Sequence, residues 1–422
     1  MLRKILTSPS LGIYFTSTSI RAVTIGAKFG LTFFLGKEYS EEFLGEYGLF
    51  STSIILCYFV LSLSFDSYAL REVVQKTADQ QFTYIRNIFV FYFIAFFAFA
   101  PLTILIFHLD LLRSDLLIYF LVLLFLETIN QSFFALFTIL QRPTIANLIL
   151  FFSQGLWILF VFFTWYFTSI DLQSFESFLV AWIVSSAIAS LYAFTTLKKI
   201  YRNSTVNSLI DWMWIRAGLS VSLIFFVTAL SYKLIEFFDR YFIEFQLGPA
   251  KLGIYVFFSQ MANLINTAIN VMVIIILYPK LIESHFKQDT GAFIMFRNKM
   301  YLRVLFLGLC IGILEIMFIN PLLQFLNKKS FENEVNILYI LIFGNIAMNL
   351  SFIPHYCLYA FRKDSILLVT TVFGAFLSAL LNLILIPIFG LSGAALATFI
   401  SFSVVFLLKA FYLRKNLQTL SK

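Results

Sequence analysis

Twelve stretches of about twenty or more mostly apolar residues fill this chain, and their length decides most of what it can fold into. A hydrocarbon core of ~30 Å is crossed by about 20 helical residues, and a segment inside it must bond its own backbone groups, so the stretches predict an all-α integral membrane protein. They cover residues 11–35, 44–65, 87–107, 115–140, 144–168 and 176–197 in the first half, and 217–241, 252–278, 301–326, 335–360, 364–388 and 391–412 in the second, numbered here helix 1 to helix 12. Only 12% of the 422 residues are charged, against roughly 25% in soluble domains, which excludes a soluble fold. The first stretch is too long for a signal peptide, is interrupted by Arg21 and Lys28, and is followed by no small-residue cleavage site, so it is expected to stay as helix 1.

Twelve crossings put both termini on one side. With that side inside, the cytoplasm receives Arg3, Lys4, Arg71, Lys76, Arg86, Arg142, Lys198, Lys199, Arg202, Arg216, Lys280, Lys287, Arg297, Lys299, Arg303, Arg362, Lys363, Lys409, Arg414, Lys415 and Lys422. Only Lys37, Arg113, Arg240, Lys251, Lys328 and Lys329 are left outside, where Glu38, Glu41, Glu42, Glu46, Asp171, Glu176, Glu332 and Glu334 also fall. This asymmetry satisfies the positive-inside rule and accounts for the formal charge of +8 without invoking nucleic acid. The longest inner connections, near residues 66–86, 198–216 and 279–300, are expected to be loops, and the 208–216 stretch SLIDWMWIR a short amphipathic helix on the membrane surface.

LGEYGLFSTSII (Leu44 to Ile55) matches LGIYVFFSQMAN (Leu252 to Asn263) at an offset of 208, half the chain. Six helices per half make the halves parallel repeats, an architecture of transporters with a central site between lobes. The expected organisation is an N-terminal lobe over 1–200, a cytoplasmic linker over 201–216 and a C-terminal lobe over 217–422.

Charge inside such helices is the main pointer to function. LSYKLIEFFDRYFIEF (Leu230 to Phe245) places Lys233, Glu236 and Arg240 at i, i+3 and i+7, on one face of helix 7, with Asp239 beside them. An unpaired charge at the bilayer centre costs roughly 2.5 to 3.5 kcal/mol on insertion scales, so this face is expected to turn toward a polar lumen. The alternative is a Lys233–Glu236 pair that serves solubility only. Helix 1 repeats the pattern with Ser17, Arg21, Thr24 and Lys28, whose cations either meet substrate or pair with Glu127 or Glu315. Helix 8 carries Gln260, Asn263, Thr267 and Asn270 on one stripe, suited to sugar hydroxyls or to bonds between helices. Asn130 and Gln131 of helix 4, Asn147 and Gln154 of helix 5, and Asn345 and Asn349 of helix 10 add amides. Glu127 and Glu315, well inside their helices, are the candidates to hold a coupling ion, H+ or Na+.

Cys57, Cys310 and Cys357 lie in apolar runs without a C-x-x-C or nearby His, and His108, His285 and His355 are scattered. Neither a metal site, a catalytic dyad nor a cofactor is expected. The tryptophans Trp157, Trp165, Trp182, Trp212 and Trp214 are expected in part at the interfacial belts.

NLILIPIFGLSGAALATFIS (Asn382 to Ser401) resembles the N-x-x-L-I-P-x-x-G-x-x-G-A-A-x-A-T signature joining the last two helices of polysaccharide-type flippases in the MOP (multidrug, oligosaccharidyl-lipid, polysaccharide) superfamily. DRYFIEFQLGPAKLGIY (Asp239 to Tyr255) resembles their junction between helices 7 and 8. The same residues have a plain packing role, since Pro387, Gly390 and Gly393 suit a tight turn and Gly393, Ala394, Ala395 and Ala397 a close helix contact. The resemblance implies a MATE-like fold of twelve transmembrane helices in two six-helix lobes. It further implies an O-antigen or related flippase of the bacterial inner membrane that carries undecaprenyl-diphosphate-linked oligosaccharide past membrane lipid, with a polysaccharide polymerase and chain-length proteins as partners. A diphosphate head suits the fork of Arg21 and the point charges of Lys28 and Lys233. A multidrug exporter of the same superfamily is the alternative and would want an acidic, aromatic lumen. A polymerase or ligase would need a large outer loop, which this sequence lacks.

Overall fold

The computed structural model describes residues 9–167, 174–202 and 209–420, and every regular element among them is helical. Arg3, Lys4, Asp171, linker residues 203–208 and Lys422 lie outside the described residues. Helix 1 runs Pro9–Glu38, helix 2 Glu41–Ser62, helix 3 Ala78–His108, helix 4 Leu117–Ile139, helix 5 Pro143–Gln154 and Leu156–Phe167, and helix 6 Phe175–Ile200. Helix 7 runs Trp212–Phe237 and Asp239–Leu247, helix 8 from Pro249 to Phe286, helix 9 Thr290–Leu326, helix 10 Asn336–Ala360, helix 11 Asp364–Phe389 and helix 12 Leu391–Leu420. Ten of these are long and apolar enough to cross a membrane, eleven with the two pieces of helix 5, which bend by 45°; helix 1 completes the order of twelve.

Two of the inner loops expected from hydropathy are largely helix. Helix 8 continues through Pro279 to Phe286 and helix 9 starts at Thr290, which reduces the expected loop 279–300 to a turn. Hydropathy stops at the edge of the apolar core, whereas helical bonding continues past it, and Asp289 ends the turn by accepting from the Ala292 amide (2.8 Å). The 66–86 connection likewise holds a helix over Asp66–Val74 and the start of helix 3. SLIDWMWIR is no separate surface helix. Asp211 accepts from the Trp214 amide (2.9 Å) and helix 7 starts at Trp212, with the Trp214 ring buried against Phe65 (5.5 Å between centroids) and Tyr84 (4.8 Å). An aromatic cluster therefore anchors a segment whose pattern alone suggested a lipid-facing one.

The chain forms two compact units. The first comprises Met1–Leu31 and Phe50–Phe226. Its core is aromatic, with Phe65, Phe91, Phe133 and Phe137 buried. Trp157 and Trp182 are buried in it as well, stacked at 5.6 Å, while Trp165 and Trp212 are exposed.

The second unit comprises Thr32–Leu49 and Val227–Lys422. Inside it the two copies of the LGxY motif meet. A Cβ on Gly45 would lie 2.2 Å from the Pro249 carbonyl oxygen, and one on Gly253 would lie 1.8 Å from that of Glu41. Glu41 and Pro249, like Gly45 and Gly253, are equivalent at the 208-residue offset, so the contact is reciprocal, as a local two-fold axis requires. Only glycine lets two helix backbones approach this closely. The turn between helices 11 and 12 uses its glycines similarly: Gly390 takes φ +58°, and a Cβ on Gly393 would lie 2.1 Å from the Leu385 oxygen. Ala394, Ala395 and Ala397 are fully buried beside it.

Candidate functional site

In the first unit the polar residues of helices 1, 4, 5 and 6 come together. Asn147 donates to the Ser17 hydroxyl (2.7 Å), which fastens helix 5 to helix 1. One helical turn and more above it, Arg21 lies over the Phe134 ring (5.6 Å). Lys28 remains exposed and donates to Gln154 Oε1 (2.6 Å). Glu127 lies close enough to attract the Lys28 ammonium. Glu127 itself is buried, 4% exposed, and accepts from Trp182 Nε1 (3.0 Å) and Ser186 Oγ (2.9 Å). Asn130 extends the network, donating to the Ser186 carbonyl (2.9 Å) and accepting from Ser190 (2.8 Å). The first unit thus holds an ammonium close to a buried, hydrogen-bonded acid, with a half-buried guanidinium on the same helix as the ammonium.

The second unit arranges its charges differently. Lys233 and Glu236 form an ion pair (2.7 Å) that is partly exposed. A turn is marked at Phe238, but its dihedrals stay helical (φ −72°, ψ −23°) and its amide bonds the Leu234 carbonyl (2.9 Å), so the helical register runs on from Lys233 through Glu236 to Arg240. Arg240 turns inward to 5% exposure, lies over the Phe237 ring (4.9 Å), and donates to Ser259 Oγ (3.3 Å) and, at 3.5 Å, toward the Gly48 carbonyl. On helix 8, Gln260, Asn263 and Thr267 are half-buried and Asn270 is exposed. Asn266 donates to Asn263 (3.2 Å), and a π-helical turn over Asn270–Ile274 starts at the end of the stripe. Asn345 and Asn349 bond carbonyls of their own helix, so they tie no neighbour. Glu315 is 6% exposed, and neither of its oxygens has a hydrogen-bond partner among the described residues.

Two polar clusters of this unit escaped the sequence reading. Asp239 accepts from the Tyr255 hydroxyl and from Thr398 Oγ1 (3.1 Å), while its other oxygen and Asn382 Oδ1 are buried without partners. Lys409, expected in the cytoplasm because it lies near the end of an apolar run, is instead fully buried beside Tyr232 and His355. The available signal was spacing: Lys409 follows Thr398 by eleven residues and Asp239 follows Tyr232 by seven, each pair on one helix face. Among the described residues, no group of three His, Cys, Asp or Glu could hold a metal.

The architecture is shared with solved transporters. An inward-facing MATE family transporter of the MOP superfamily superposes with a TM-score of 0.76 at 13% identity, over 96% of this chain and 98% of the other. The lipid II flippase MurJ, in an inward closed conformation, gives 0.73 at 14% identity over 95% and 87%. The Vibrio cholerae MATE transporter VcmN gives 0.65 at 12% identity over 96% and 98%. At these identities the likeness concerns the fold, which is MATE-like. No curated protein sequence matches the chain. A family model described as "polysaccharide biosynthesis protein" matches residues 14–285, close to two thirds of the sequence, including helix 1 from Tyr14 onward and all of helix 7. The chain is therefore a multi-pass membrane protein of MATE-like fold and belongs to the polysaccharide biosynthesis protein family.

Proposed function

We propose that this protein is a flippase that moves undecaprenyl-diphosphate-linked oligosaccharide, an O-antigen or capsule repeat unit, from the cytoplasmic to the periplasmic face of the inner membrane by alternating access. The family match over residues 14–285 carries the reading. The cations of helix 1 support it: Lys28, an exposed residue in the middle of an apolar span, and the half-buried Arg21 share that helix. A diphosphate offers such groups the partner that lipid does not, with a fork for Arg21 and a point charge for Lys28. Lys233 is a weaker contributor, since Glu236 already compensates it. The half-buried amides and hydroxyl of Gln260, Asn263 and Thr267 suit sugar hydroxyls.

In this reading Glu315, an acid without hydrogen-bond partners, is the better of the two ion-coupling candidates, and Glu127 the poorer, because two donors already hold it. Both termini lie in the cytoplasm, as the positive-inside count requires. A cysteine at Lys199 labelled only from outside would overturn that topology. The function is tested in a strain lacking the gene. Restored surface polysaccharide supports the flippase, whereas drug resistance without polysaccharide returns the multidrug alternative.

A further inference from the structure

One buried cation of the second unit takes no part in the proposed substrate and ion sites. Lys409 of helix 12 is fully buried, and its neighbour Tyr232 belongs to an apolar core with Phe402, Val405 and Met348. It donates to the Tyr232 hydroxyl of helix 7, reaches His355 Nδ1 of helix 10 at 3.2 Å, and lies 4.2 Å from the centre of the Tyr232 ring. Tyr232 in turn bonds Ser351 of helix 10 (3.2 Å). The other titratable group facing the cluster is Tyr356, edge-on to His355 at 5.8 Å, with Tyr278 of helix 8 behind it at 4.4 Å. Helix 11 has no ionisable residue beyond Asp364 at its start. Among the described residues no carboxylate pairs with Lys409, and Asp239, on the face of helix 7 that carries Tyr232, is two turns away, ~10 Å along the axis.

A cation held in this way, by two neutral acceptors and a ring face, is stabilised less than an ion pair and more than a bare charge in hydrocarbon. The contact with Nδ1 fixes the histidine as well. An Nδ1 that accepts from an ammonium bears no proton, so the ring is neutral with its hydrogen on Nε2. A second proton on His355 would bring two cations to 3.2 Å with no anion beside them. The cluster therefore accommodates one positive charge or none.

We propose that Lys409, His355 and Tyr232 form a binding site for one exchangeable proton inside the second unit, on the seam where helix 7 meets helices 10 and 12. When the proton is bound, the Lys409 ammonium donates to both Tyr232 and His355 and pins helix 7 to the other two helices. Release to water converts the ammonium to an amine. Tyr232 then donates its O–H to the amine nitrogen, and the pin is reduced by the charge-assisted share of its bonds. The existence of the site is independent of the proposed substrate; its use as a coupling element rests on the flippase reading.

Proton release by the full chain in lipid nanodiscs tests the site without any substrate. Over the full pH range in which the protein stays folded, wild type should release about one proton more per chain than Lys409→Met. Lys409→Arg keeps a permanent charge and should match Lys409→Met in proton count, which separates exchange from packing. With 15N-histidine labelling and His355→Gln to assign the signals, His355 should show an unprotonated Nδ1 that shifts in the same pH step, and the shift should vanish in Lys409→Met. Equal proton release from wild type and Lys409→Met, or a His355 that titrates alike in both, would overturn the proposal. Absent glycan export with the proton step intact would count against the flippase reading and leave this site standing.

Discussion

The two units contain buried acids of the same type in opposite states. Glu127, in the first, is held by the Trp182 indole and the Ser186 hydroxyl, with an exposed lysine nearby. Glu315, in the second, is almost equally buried and has no hydrogen-bond partner among the described residues. Cations differ in parallel: Lys28 bonds an amide and stays exposed, whereas Lys233 is compensated by Glu236. Burial therefore does not assign a role to a charged residue in a membrane helix; its neighbours do. A satisfied acid is a structural element, and an unsatisfied one is free to gain or lose a proton or cation.

The comparison is broken or sharpened by four experiments. The largest effect is expected from charge removal in helix 1. Replacing both Arg21 and Lys28 by Ala should reduce surface polysaccharide by roughly a hundredfold or more, taking about 1.5 to 3 kcal/mol for each charge-assisted bond to phosphate. Lys233→Ala alone should cost less than tenfold, because Glu236 already offsets it. Normal polysaccharide from a stable double variant would remove the cationic site from the mechanism, with protein level measured in parallel.

Next in size is Glu127→Leu, which strands two buried donors at about 1 to 3 kcal/mol each and should lower the unfolding temperature of the purified protein. Glu127→Gln, which keeps an acceptor, should recover most of that loss. If the leucine variant unfolds like wild type, the network around Trp182 is not structural.

A smaller loss, about 1 to 3 kcal/mol, is expected from Gly45→Ala and from Gly253→Ala, since either methyl enters the space of a backbone oxygen. The reciprocal geometry predicts similar losses for the two. Clearly unequal midpoints in the same thermal assay would deny the local two-fold relation.

Smallest in stability is Glu315→Gln, within ~1 kcal/mol of wild type or slightly more stable, because an isolated buried carboxyl gives up no bond. Its effect should instead be on coupling, seen as a weaker dependence of export on the proton or sodium gradient. Unchanged ion dependence in both Glu315→Gln and Glu127→Gln would exclude the two acids as coupling groups.

Much of the fold was legible in the sequence, because a bilayer imposes one rule on every segment: about 20 apolar residues and internal bonding. That rule located twelve helices, and the LGxY repeat at an offset of 208 identified the residues that meet at Gly45 and Gly253. Helix ends were less legible. The polar extension of helix 9 from Thr290 and the anchored start of helix 7 at Trp212 lie beyond the apolar core, where hydropathy carries no information.

What the sequence determined by itself is the class of protein and the identity of its intramembrane charges, since both follow from composition and spacing along one chain. What only the tertiary structure decided is the partner of each charge. Lys233 keeps a partner three residues away, within reach of any helix-face argument. Glu127 finds its donors 55 and 59 residues away, and Lys409 meets Tyr232 at a separation of 177. Helical periodicity fixes which residues share a face, but not which helix that face will pack against, and in a low-dielectric interior that choice distinguishes a tie from a titrating site.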